Sequence, residues 1–138
     1  MKFSPIAAVT GVLALLGLST AALADPVGEW RVGDGTATVR VKHCGSDLCG
    51  FVATTKGDPG KDDKNPDPAK RNRSVLGMEV LINLKPDGKN YWTGTSYNAE
   101  DGLTYSATVW LTDESSLNIK GCAPGGGVCG QELWTRVH

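Results

Sequence analysis

Helical periodicity is what this sequence has least of. Past residue 24, apolar residues almost never recur at three- and four-residue spacing, which argues against a helical bundle or an α/β layer. Histidine is nearly missing: His43 and His138 are the only two. A zinc site or a Ser–His–acid set would rest on His43 alone. No G-x-S-x-G elbow occurs. "GCAPGGGVCG" (121–130) is rich in glycine but lacks the Lys-Ser/Thr of a phosphate loop, so it reads as a hairpin tip. Neither sign of charge dominates: 14 basic and 15 acidic residues leave a net charge of −1. Nucleic acid and anionic membrane surfaces both need a concentrated basic face, and none is visible.

Long apolar runs are limited to one. Ile6 to Leu18 follows Lys2, and Ala22-Leu23-Ala24 then gives a small-x-small pattern. That combination predicts a signal peptide over 1–24, cut after Ala24, and the run is short for a membrane span. The expected product is Asp25–His138, periplasmic or secreted, with no membrane span.

What is present is cysteine in an exported chain. Cys44, Cys49, Cys122 and Cys129 allow three disulfide connectivities. Cys44–Cys49 and Cys122–Cys129 are preferred, because "CGSDLC" and "CAPGGGVC" both look like hairpin ends. A bridge there pins a register and contributes about 2–3 kcal/mol by loop closure. A four-cysteine zinc site is the rival, disfavoured by spacings that are not CxxC and by an oxidising compartment.

Strand alternation recurs along the chain, punctuated by Gly, Asn and Asp. It predicts strands at 28–32, 36–43, 50–55, 78–85, 91–98, 103–111, 116–122 and 129–137. In "MEVLINLK" the alternation places Val80, Ile82 and Leu84 on one face. In "LTYSATVWL" it aligns Leu103, Tyr105, Ala107, Val109 and Leu111. Eight strands joined by short turns, with one long connection at about 56–77, predict an all-β fold. The fold expected is an eight-stranded antiparallel up-and-down barrel, with a two-sheet sandwich as the alternative.

Three stretches carry a family resemblance. "GEW" resembles the G-x-W opening of lipocalins, in which an arginine from the last strand lies over the tryptophan. Trp30 and Arg136 stand at those positions, which implies closure of one barrel end by a cation–π contact. "KDDKNPDPAKRNRSVLG" (61–77), "SYNAEDGLTY" and "ELWTR" are together similar to an exported bacterial lipocalin-like family, domain of unknown function 2147. Ala99 departs from the proline usual at that turn. The resemblance implies a lipocalin-like barrel and no agreed activity.

The stretch 61–77 packs ten charged or amide side chains and two prolines into seventeen residues. Asp63-x-Asn65-x-Asp67 begins a calcium-loop pattern, but Pro68 stands where that loop needs Gly and Ser74 where it needs Glu. The better reading is local. Asn65-Pro66 forces an extended or turn conformation, and Asp67 caps a short helical turn that starts at Pro68. Arg71 and Arg73 then answer Asp62, Asp63 or Asp67, or remain available to an outside anion. Asn65 and Asp67 are thus expected to order the loop.

No catalytic residue, metal ligand or cofactor is assigned. Glu100, Asp101, Asp113 and Glu114 fall in turns and read as solvated acids rather than a glycosidase pair. The ligand-binding candidates are Trp92, Tyr97, Tyr105 and Trp110 on strands, with Arg71 and Arg73 on the loop; for the aromatics an ordinary core role, with the hydroxyls partnered at the rim, is the favoured reading. The leading expectation is a non-enzymatic barrel that takes a small hydrophobic or amphipathic molecule in its mouth, roofed by the loop. The alternative is a structural or interaction protein of the cell envelope with a filled barrel and an envelope protein as partner.

Overall fold

The computed structural model describes residues 25–138, so the expected signal peptide at 1–24 lies outside the described residues. Eight strands follow one another: β1 (Gly28–Arg31), β2 (Ala37–Cys44), β3 (Asp47–Thr55), β4 (Glu79–Pro86), β5 (Tyr91–Asn98), β6 (Leu103–Asp113), β7 (Ser116–Cys122) and β8 (Cys129–Arg136). Each pairs antiparallel with the next, and β8 returns to β1, so the sheet closes into a barrel rather than splitting into a sandwich. Among the described residues the only helical piece is a 3₁₀ turn, Pro68–Lys70, inside the long β3–β4 connection.

Period-two alternation decides which side chains fill the barrel. Directly paired residues share a face, and the register therefore carries the inward row around the barrel. Val39 pairs with Trp30 and Val52, Val109 with Trp92 and Ile119, and Leu117 with Leu111 and Trp134. Most of these lie in the buried core, with Trp92 packed against its edge. β4 departs from simple alternation. Leu81 and Leu84, not Val80, Ile82 and Leu84, are the buried pair. The register shifts between Ile82 and Lys85, and Asn83 there takes φ 51°. This bulge adds one residue and puts Leu81 and Leu84 on the same side three positions apart.

The turns sort the barrel into two ends. One end gathers the start of β1, the β2–β3, β4–β5 and β6–β7 turns, and the end of β8. This end is closed by Trp30, which is fully buried and donates its indole N–H to the Pro26 carbonyl at 2.8 Å. The Arg136 guanidinium lies 4.3 Å from the Trp30 ring. It also donates to three carbonyls: Nη1 to Val27 (3.0 Å), Nη2 to Asp25 (2.7 Å) and Nε to Glu114 (2.5 Å). Gly28 completes this end. Its φ of 147° suits glycine, and a Cβ there would stand 2.5 Å from the His138 carbonyl oxygen and 2.6 Å from Arg136 Nη1.

All four cysteines are bridged, Cys44–Cys49 and Cys122–Cys129, which leaves no thiolate for zinc. The first bridge spans the β2–β3 turn at the closed end. The second ties β7 to β8 at the opposite end.

A lysine at 136 keeps the positive charge but not the planar fork that reaches three carbonyls and the indole at once. Arg136→Lys is expected to lower unfolding free energy by about 2 kcal/mol. Urea denaturation should show a lower midpoint at an unchanged slope.

Candidate functional site at the open end of the barrel

The end opposite Trp30 is hollow. A cavity of about 560 Å³ opens between the strands. Small-molecule pockets run to about 300–1,000 Å³, so this one suits a ligand. The cause is legible in the inward row. Near the closed end it carries Trp30, Leu84, Leu117 and Trp92; near the mouth it carries Ala37, Ser96, Gly121 and Gly130. Small side chains leave unfilled what large ones fill below. Val39, Val52, Leu81 and Ile119 wall the cavity, and Trp134 lies against it.

The polar groups gather at the rim. Glu132 pairs with Ile119 and so shares the inward face. Its Oε1 accepts from the Trp134 indole N–H and from the Gly33 amide at 3.3 Å. Asp34, Glu100 and Gln131 also border the opening. Tyr105 pairs with Ser96 on the inward face and donates its hydroxyl to Asp101 in the β5–β6 turn. That hydrogen bond to a carboxylate raises the Tyr105 hydroxyl above its usual pKa.

The long connection reaches the mouth through Val75 and Met78, both against the cavity. It is folded around one carboxylate. Asp62 is fully buried. Its Oδ2 accepts from Asn65 Nδ2 (2.8 Å) and from Arg73 Nε and Nη2 (3.2 and 3.0 Å), and its Oδ1 accepts from the Tyr97 hydroxyl at 2.5 Å. The main chain closes around it: Asp62 N bonds to the Arg73 carbonyl, and Lys61 bridges Ser74. Asn65 Oδ1 in turn accepts from Asp67 N, and Asp67 Oδ1 accepts from Ala69 N to cap the 3₁₀ turn at Pro68. Arg71 pairs with no carboxylate; its Nε donates to the Asn65 carbonyl at 2.7 Å. Gly102 fixes where this lid docks. At φ 74°, a Cβ there would fall 1.9 Å from the Lys64 carbonyl oxygen.

Burial opposes ionisation of Asp62, but the hydrogen bonds from Tyr97, Asn65 and Arg73 outweigh it and hold the carboxyl below its usual range. Burial, then the bond to Asp62, pushes Tyr97 up to about 12.

The sequence candidates therefore fall into separate places. Tyr105 borders the cavity. Tyr97 also lines it, but by register it pairs with Thr104 on the face opposite Ser96 and Tyr105, and its hydroxyl belongs to the lid. Trp92 lies at the closed end, beside a smaller hollow of about 280 Å³ that Asp25 and His43 also line. Trp110 is on the outer wall, its ring stacked on Tyr91 at 5.7 Å. Arg71 and Arg73 hold the lid together. One residue passed over in the sequence stands out here: Glu132 could have been found, since alternation in "CGQELWTRV" puts it in the row of Trp134 and Arg136. Asp62 was expected only as one of three acids that could answer the loop arginines, because nothing local separates it from Asp63; the structure chooses it as the partner of Arg73.

Both shifts have a sign that can be tested. The depressed Asp62 adds stability that is in place above the ordinary aspartate value of about 3.9 and is lost as pH falls through its lower folded value. The raised Tyr97 adds stability that is in place below about 10 and is lost as pH rises through about 12. Asp62→Asn should weaken both margins. Tyrosinate absorbance on an alkaline titration should show one tyrosine near 12 in the wild type, shifted down in Asp62→Asn.

Comparison with known proteins bears on the fold and the family. No curated protein matches the chain. A solved structure, protein HP1028 from the human pathogen Helicobacter pylori, described as belonging to the lipocalin family, superposes with a TM-score of 0.75. It is 23% identical, and the match covers 83% of this chain and 84% of that one. At that identity the likeness speaks for the fold: a lipocalin-like barrel. Residues 28–136, the whole barrel from the Gly28 turn to the Arg136 clamp, match the model of one family, and the chain belongs to it: uncharacterized protein conserved in bacteria (DUF2147).

Proposed function

We propose that this protein is an exported carrier or sensor that holds one small, partly apolar molecule in the mouth of its barrel. The observation that carries the reading is the cavity of about 560 Å³ bounded by Val39, Val52, Leu81, Ile119 and Trp134. Burial of apolar ligand surface against such walls is favourable at about 25 cal/mol per Å². The lid residues Val75 and Met78 border the same space, so a bound molecule would be covered on that side by the connection that Asp62 holds folded. Two disulfides fit an oxidising compartment, which supports export to the periplasm or beyond. The hollow mouth supports this reading over the alternative of an envelope protein with a filled barrel.

The test uses Gly130. It borders the cavity, and a Cβ added there meets nothing within 4 Å. Gly130→Phe should therefore occupy the mouth without straining the strand. Protein purified from the exported fraction and denatured should release a small molecule, detected by mass spectrometry, at close to one per chain. Gly130→Phe should release at least tenfold less, with a melting temperature close to that of the wild type before ligand is added. Equal release from both proteins, or from neither, sinks the reading.

A further inference from the structure

The charge around the cavity is of one sign. Asp34, Glu100 and Glu132 line it, and among the described residues no lysine, arginine or histidine does. The ion pairs among the described residues all lie elsewhere: Arg40–Glu29, Arg73–Asp62 and Lys85–Asp47. Among the described residues the mouth acids thus take part in no ion pair. Asp34 is held ionised by its turn: the Thr36 hydroxyl and amide both donate to it and keep its carboxyl below the usual value.

Glu132 is the one of the three acids that stands on a strand, exposed at the rim in the inward row between Gly130 and Trp134. Two hydrogen bonds fix it there, both on Oε1, from Trp134 and Gly33, and Oε2 accepts none from the described residues. Trp134, beside it, is 6% exposed and adds an indole to the same wall. An anchored carboxylate at the lip of an apolar cavity supplies the counter-charge for an organic cation, while the apolar wall beside it takes the carbon body. The apolar walls below reject a hydrated metal ion, which would need a shell of oxygens. A fatty acid anion would bring its own charge against Asp34, Glu100 and Glu132.

Resting on the cavity reading above, we infer that the ligand is an amphipathic amine: an apolar body held by the walls and a cationic nitrogen paired with Glu132 at the rim. The lid faces this site with Val75 and Met78, so it adds apolar cover and no competing counter-charge.

Three probes that differ only in headgroup separate the possibilities: decylamine, decanol and decanoate, each below its micelle concentration at neutral pH. Binding is read by titration calorimetry with tryptophan fluorescence in parallel. Decylamine should bind about two- to fivefold more tightly than decanol, the span expected of one exposed ion pair. Decanoate should bind more weakly than decanol. The amine preference should shrink as salt is raised. In Glu132→Gln, which keeps an oxygen for Trp134 and Gly33 but removes the charge, the amine-to-alcohol ratio should fall toward one.

An amine no tighter than the alcohol, a preference indifferent to salt, or a ratio unchanged in Glu132→Gln overturns the inference. Should Glu132→Gln fail to fold, the salt dependence of the wild type decides alone. Decanol that binds the wild type but not Gly130→Phe, with no amine preference, removes this inference and leaves the cavity reading standing. Failure of all three probes removes both.

Discussion

The seam between β1 and β8 is the constraint on which the barrel depends. A meander of hairpins closes only if its last strand finds its first, and here that pairing is short: Trp30 with Arg136 and Arg31 with Thr135. Two residue pairs are little to hold against the loss of chain entropy. Arg136 reinforces the seam. Its guanidinium covers Trp30 and reaches carbonyls on two separate segments, at Asp25 and Val27 before β1 and at Glu114 in the β6–β7 turn. Charge-assisted bonds to carbonyls that would otherwise face water or go unpaired are among the stronger ones available. Sealing this end concentrates the packing there, and the opposite end is left free to be hollow.

The lid solves a different problem. A connection as polar as 61–77 has almost no apolar surface to bury, so hydrophobic packing cannot order it. It is ordered instead around the buried Asp62 carboxylate, which collects donors from Asn65, Arg73 and Tyr97. A buried charge is tolerable only when its acceptor sites are filled, and that condition makes the arrangement specific. Tyr97 reaches the lid from β5, which fastens the loop to the barrel wall. What looks along the sequence like a metal or catalytic motif is a polar network whose product is a fixed position for Val75 and Met78 over the cavity.

The mouth combines the two results. Small inward residues create the space, the lid covers one side of it, and the rim carries acids that pair with no cation among the described residues. Electrostatic character of this kind selects among ligands of similar size more than it sets overall affinity.

Much of this was legible along the chain. Strand number and order follow from period-two alternation and turn residues, because both are local properties. The closing pair, Trp30 and Arg136, and the two disulfides follow from motif position and hairpin spacing. Faces were less secure: Asn83 adds a residue to β4, and a bulge is invisible to a count of alternate positions. Trp92, Tyr97, Tyr105 and Trp110 looked like one aromatic group but lie at the closed end, in the lid contact, at the mouth and on the outer wall. Strand periodicity gives a side chain's face, not its height in a closed barrel, which depends on how all eight registers add up. The same reason hid Asp62 among its neighbouring acids. The sequence by itself determined that the chain would make eight short antiparallel strands with one long polar connection; the β8–β1 pairing that closes the sheet is seen in the tertiary structure. Only the tertiary structure decided which half of that barrel is empty, which acid is buried and which acids face the opening, because each depends on residues far apart in sequence arriving at the same level.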